Sequence, residues 1–230
     1  MSFGKNLQFL RKMRGSMTQE ALAEKLGVSR QTVSKWELDM VYPEMDKVLE
    51  LCSLFSCSMD QLIREDMTAF STAYSDIRIE QVAPFAYIRY AVISTEPEDD
   101  AKAHVRRWAK ELAIDSPSII GWDFPVLSQE QINVYNMHGY AAALILPPDI
   151  LPAAPKAEVI RQGAQKYIAI TIRDPFSAPF QLIPGAYKAL MTYMRANGIS
   201  DCRNPAIIPC FEKEYQIDGV DFMDVYIAIE

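Results

Sequence analysis

Arg30, Gln31, Ser34 and Lys35 fall on one side of a short stretch, Arg30–Glu37, whose pattern is helical. Arginine carries a rigid fork of donors, and glutamine a paired donor and acceptor. These are the groups that address guanine and adenine edges in a duplex groove. Val33 and Trp36, three residues apart, point the other way and mark a buried side. The chemistry on offer is therefore recognition of a polar polymer by a helix whose back is packed.

Such a helix needs a scaffold, and the preceding residues supply one. Thr18 is placed to cap a helix over 19–26, with Ala21, Leu22 and Leu26 as its apolar stripe. Gly27 suits the left-handed position that ends it. Val28 plugs the turn and Ser29 caps the second helix. Two short helices joined by a tight turn form the helix-turn-helix pattern, in which the second helix enters the DNA major groove. Around it, Leu7, Leu10 and Met13 predict a helix over 3–13, broken at Gly15-Ser16. Met45, Val48, Leu49, Cys52 and Phe55 predict another over 44–55 after the Pro43 turn. Ser58 caps a last one over 59–64. The expectation is a five-helix, all-α bundle over 1–65.

Composition divides the chain. Residues 1–64 carry nine Lys/Arg against eight Asp/Glu, whereas the remainder carries fourteen against twenty-two. The first part is close to neutral, with a basic cluster at Lys5, Arg11, Lys12, Arg14, Arg30 and Lys35 expected to hold phosphates. Residues 66–76 have weak periodicity and read as a linker, with Phe70 and Tyr74 available to pack on a neighbour. Residues 77–230 follow a different plan: strands around Pro84, a helix over 97–113, and strands near 119–122 and 140–146. The plan then repeats with strands near 158–161 and 167–173, a helix over 180–197, and strands near 207–216 and 221–229. The predicted class is therefore multidomain, with the bundle followed by an α+β domain of two strand-strand-helix-strand-strand units. A cleft is expected at their pseudo-twofold seam.

Several functions are disfavoured. No run of eighteen apolar residues predicts a membrane span. The N-terminus lacks the pattern of a signal peptide. Cys52, Cys57, Cys202 and Cys210 form no CxxC pair, and with two histidines a zinc site is not expected. The thiols are read as structural, with redox sensing as the minor alternative. No phosphate loop or Ser/His/Asp pattern is visible, so no cofactor or catalytic residue is assigned. Reduced thiols and a DNA-reading motif together predict a cytoplasmic protein.

Two family resemblances sharpen this. "LRKMRGSMTQEALAEKLGVSRQTVSKWE", the Pro that opens the next helix, and "VLELCSLFSCSMDQLI" resemble the Xre-type, Cro and phage-repressor-like helix-turn-helix domain. The resemblance implies major-groove readout by the helix that starts at Arg30. Within it, Gln19 is expected to hold a phosphate, Arg30 and Gln31 to read bases, and Ser29, Thr32, Ser34 and Lys35 to contact bases or backbone. The second part, through "PFAYIRY", "GYAAALILPP", "YIAITIRDPF…IPGAYKALMTYMRANG" and "CFEKEYQIDGVDFMDVYIAI", is similar to GyrI-like effector-binding domains of multidrug-responsive regulators. That resemblance implies a glutamate in an aromatic cleft that meets a cationic or polar ligand. Aligned through "CFE" the glutamate is Glu212, and Glu214 stands where the family more often has an aromatic residue.

A buried carboxylate needs a partner, and a lipophilic cation between aromatic walls supplies one. Trp122, Phe124, Tyr140, Phe176, Tyr187 and Tyr215 are the candidate walls. The expected function is a homodimeric regulator that binds a palindromic double-stranded operator and senses a small ligand, a cationic aromatic one included. Two alternatives stay open. One is a GyrI-like small-molecule hydrolase using Glu212 and Tyr215, and the other is a protein-interaction module tethered to DNA.

Overall fold

The computed structural model describes residues 3–14, 17–67, 73–75, 77–124, 127–148 and 157–230. The Gly15-Ser16 break and most of the 66–76 linker, Phe70 included, lie outside the described residues. Helices α1 (Phe3–Met13), α2 (Gln19–Leu26), α3 (Arg30–Glu37), α4 (Met45–Phe55) and α5 (Met59–Ile63) come first. Strands β1 (Arg78–Val82) and β2 (Phe85–Ser94) then lead to α6 (Pro97–Glu111), β3 (Ser118–Asp123), the short α7 (Gln129–Asn133) and β4 (His138–Leu146). The second repeat is β5 (Val159–Gln162), β6 (Gln165–Arg173), α8 (Pro179–Asn197), β7 (Cys210–Ile217) and β8 (Val220–Ala228). A bundle of helices and an α+β arrangement of two strand-strand-helix-strand-strand repeats are both present.

The chain divides into two compact units, and α8 belongs to the first. That unit is Met1–Ser75 with Ala178–Ser200, and the second is Asp76–Ser177 with Asp201–Glu230. The helical unit thus takes a segment from the middle of the region expected to form the second domain.

In the helical unit the local signals act as expected. Thr18 and Ser29 accept from the backbone N–H groups of Ala21 and Thr32, and Gly27 is left-handed with φ 64°. Leu7, Leu10, Leu22, Val33, Leu51, Phe55 and Leu62 are the sealed core, and Trp36 joins it. The expected face of α4 needs correction. The buried face of α4 is Val48, Leu51 and Phe55, whereas Met45 and Leu49 are 60% and 52% exposed. Leu51 takes the core position, so the apolar stripe is rotated by one residue. The buried stripe of α8 runs through Leu182, Ala186, Leu190 and Met194, and Met191 is exposed.

Two polar anchors tie this unit together. Asn6 is almost sealed; its Nδ2 donates to the carbonyls of Gln61, Leu62 and Glu65, and its Oδ1 accepts from Met67 N–H. The start of the linker is therefore fixed to α1. At its end, Tyr74 donates its hydroxyl to the Leu182 carbonyl at 2.8 Å. Gly185 makes the notch for it, because a Cβ there would lie 2.2 Å from the Tyr74 oxygen. Burial pushes the Tyr74 phenol up to about 12. Lys188 of α8 pairs with Glu65. Gly185→Ala should cost about 1–3 kcal/mol through overpacking, and adding Tyr74→Phe should restore part of it. Urea denaturation of the single and double variants measures this. Additive losses would show that the notch does not exist.

Among the described residues, none of the four cysteines forms a disulfide. Burial, with Cys52 nearby, pushes Cys57 up to about 12, which suits a packing role rather than a nucleophile.

The second unit is an eight-stranded antiparallel sheet in the order β1-β6-β8-β7-β3-β4-β2-β5. Each repeat hands its first strand to the other: β1 pairs with β6, and β5 with β2. The pseudo-twofold seam lies between β3 and β7, where Gly121 faces Glu212. One face of the sheet is covered by α6, whose Ala101, Val105 and Ala109 meet Ile88, Tyr140, Ala142 and Leu144. The opposite face carries Trp122, Ala141, Tyr167, Phe211 and Tyr226. His104 of α6 stacks on Tyr90 of β2 at 3.8 Å, with Trp108 edge-on to His104.

Candidate nucleic-acid interface and ligand site

Helix α3 is held from behind by a buried charge network. Glu37, at the last turn of α3, accepts from Arg11 Nε at 2.6 Å, Arg11 Nη2 at 3.0 Å and Gln19 Nε2 at 2.9 Å. Arg11 also donates to the Met17 carbonyl. A bidentate guanidinium–carboxylate pair fixes both position and angle. It therefore ties α1, α2 and α3 in one geometry. At the same end Gly4 donates its N–H to Asp39 Oδ1 at 2.8 Å. A Cβ on Gly4 would sit 2.4 Å from the Glu37 carbonyl oxygen, so α1 and α3 meet backbone to backbone.

On the front, Ser29, Arg30, Gln31 and Lys35 are exposed, and Thr32 and Ser34 are half-buried. Ser29 and Thr32 share a hydrogen bond and are occupied in capping. Gln19 is half-buried and bonded to Glu37, so its amide serves the scaffold in this state. The basic cluster is smaller than its sequence suggests. Arg11 is buried against Glu37, and Arg14 donates to the Leu54 carbonyl at the end of α4. Both were expected to project. Their charge is spent on closing the bundle, because helix ends with unmet carbonyls and a buried carboxylate draw nearby guanidinium groups.

In the second unit, Glu212 and Glu214 lie on the α6 face of β7, since alternate residues of a strand share a face. Lys102 of α6 donates to Glu214 and, at 2.5 Å, to Glu98. Its ammonium stands 5.6 Å from the centre of the Tyr140 ring. The Tyr140 hydroxyl lies over Gly121, where a Cβ would come within 2.0 Å of it. Tyr140 is raised well above the ordinary phenol range by burial, and further by Glu212, Glu98, Glu214 and Asp123. Asp123 is itself raised, by burial and then by Glu98. Four carboxylates thus surround one buried tyrosine at the seam.

Of the candidate walls, Tyr140 shares that face with Glu212 and Glu214. Trp122 and Phe124 pack with the opposite face. Tyr215 also points there, and its hydroxyl donates to Asp224, which Arg78 and Thr171 hold as well. Phe176 sits on the short 3-10 turn Pro175–Ser177, half exposed, and Tyr187 lies on α8 in the helical unit. The pleat sends Glu212 and Tyr215 to opposite faces, so the structure does not bring that pair together. Lys102, Glu98 and Asp123 are additions to the site. The Glu98–Lys102 spacing of four is legible in the sequence as a helix pair. Among the described residues, no set of three or more His, Cys, Asp or Glu is grouped to hold a metal ion. None of the described helices is long and apolar enough to cross a membrane.

Capped helices, a tight left-handed turn, and a braced second helix with polar side chains outward define a helix-turn-helix domain. Residues 7–62 match the helix-turn-helix family model. The chain is similar to the HTH-type transcriptional activator BcrR of Enterococcus faecalis, with 33% identity over 88 residues, 38% of this chain and 43% of that one. It is also similar to the HTH-type transcriptional regulator ImmR of Bacillus subtilis (strain 168), with 38% identity over 66 residues, 29% of this chain and 51% of ImmR. The chain spans about half the length of these curated relatives. Among solved structures, an EcmrR–DNA complex is similar at 10% identity and a TM-score of 0.49, over 96% of this chain and 80% of that one.

Proposed function

We propose that the protein is a ligand-responsive transcription regulator that binds an operator through α3. The observation that carries this is the presentation of Arg30, Gln31 and Lys35, exposed on a helix whose other side is locked by Arg11, Gln19 and Glu37. It acts as a homodimer on a palindromic site, with half-sites roughly 34 Å apart. Leu38, Met40, Val41 and Tyr42 stay exposed directly after α3 and offer apolar surface to a second copy. Tethering to DNA favours sensing over turnover, because an enzyme would consume its own signal.

The sensing site is the α6 face of the seam, and the ligand is a small cationic aromatic compound. Carboxylates against a buried ring suit a delocalised cation, which brings both charge and apolar area. Such a ligand shifts operator affinity only by its differential affinity for the DNA-competent and incompetent states. Tetraphenylphosphonium is a suitable probe, being aromatic and permanently charged. Its binding, measured by calorimetry, should weaken about 10-fold or more in Glu212→Gln, the effect expected when one close charge is removed. Equal affinity in the variant would remove Glu212 from the site. A gel shift that does not respond to the bound probe would argue against sensing.

A further inference from the structure

We infer that Lys102 is a built-in competitor for the cation site, an ammonium on the protein's own α6 that holds the place a ligand's charge must take. This rests on the cationic-sensor reading above and adds the residue that sets its threshold. The Lys102 side chain is only 10% exposed, and its Nζ donates to Glu214 of β7 and to Glu98 one turn back on α6. It also faces the Tyr140 ring at cation–π distance. These are the partners that an aromatic cation would use: carboxylate on one side, ring on the other. Burial alone would lower the pKa of a lysine. Here the hydrogen bonds to Glu214 and Glu98 outweigh burial and raise its pKa above the ordinary value.

The geometry has a functional cost and a functional gain. An incoming cation gains the carboxylates only if Lys102 releases them, so affinity is reduced by the strength of the internal pair. Weakly charged or purely apolar compounds cannot displace an ammonium held by two carboxylates. A permanently charged aromatic one can. Lys102 therefore acts as a specificity filter, and its flexible stem lets the head swing out to water when displaced.

The test is a calorimetric titration of tetraphenylphosphonium into the full chain, wild type beside Lys102→Met. The expected result is binding about 10- to 100-fold tighter in the variant, the scale of one or two charge-assisted hydrogen bonds no longer opposed. Unchanged or weaker binding in Lys102→Met, with the wild type still binding, overturns the competitor role and leaves the sensor reading intact. No binding by either protein removes the sensor reading, and the competitor with it. A second measurement uses the wild type alone and does not depend on the variant folding. The acetylation rate of Lys102, read by peptide mass spectrometry, should rise several-fold when the probe is bound, because the ammonium leaves its buried site. A rate that stays level or falls while the probe is bound overturns displacement.

Discussion

Arg30→Ala and Gln31→Ala should each lower operator affinity by roughly 5- to 150-fold, about 1–3 kcal/mol per lost base contact. Neither should change the melting temperature. Both side chains are exposed on the first turn of α3, and the helix keeps its Ser29 cap and its Val33–Trp36 core side without them. Lys35→Ala should behave differently. A phosphate contact weakens all sequences alike and reduces the salt slope by about one. The operator for these measurements is obtained by selection from a random duplex pool, and affinities are read by gel shift at fixed salt. If both alanine variants bind the selected duplex like wild type, α3 is not the reading helix.

Glu37→Ala should be the more damaging change, although Glu37 touches no base in this scheme. Its carboxylate is nearly sealed and neutralises Arg11, which is itself buried. Removing one partner of a buried pair leaves an uncompensated charge and costs about 3–5 kcal/mol. Gln19 loses its acceptor as well. Two-state urea unfolding should therefore show a midpoint lowered by a large fraction of the domain's stability, with DNA binding lost at temperatures where Arg30→Ala remains folded. A loss under about 1 kcal/mol would mean the pair contributes no more than an exposed one. Swapping both residues for apolar ones of similar volume should recover stability, since buried pairs are often replaceable as a unit. It should not recover the angle of α3, which depends on the fork geometry.

These variants also mark how far the sequence can be read. The caps at Thr18, Ser29 and Ser58 and the left-handed Gly27 are signals within four residues, and the structure places the first five helices accordingly. The strands were legible through alternation and through the prolines that interrupt it. The strand exchange between repeats was not, because nothing local distinguishes β1 pairing with β6 from β1 pairing with β2. Short α7 is not among the elements expected from the sequence, although Ser128 and Gln131 form a capping box around it. Arg11 looked like a free cation because its partner lies 26 residues on. The ligand site shows the same limit. Glu212 and Glu214 came from a resemblance and from alternation. Lys102 reaches Glu214 across 112 residues, a separation no pattern in a single sequence reports.

The placement of α8 has a consequence for how the protein is made. Chains are synthesised from the N-terminus and fold as domains emerge. Helix α3 leaves the ribosome early, yet the unit that contains it is not complete until Asn197 has been added. Until then Tyr74 has no notch to enter and Glu65 no Lys188 to meet. A nascent chain that stops in the first repeat carries every residue of α3 on a bundle that is one helix short. The order of translation thus delays completion of the helical unit until all but the last strands of the chain have been made.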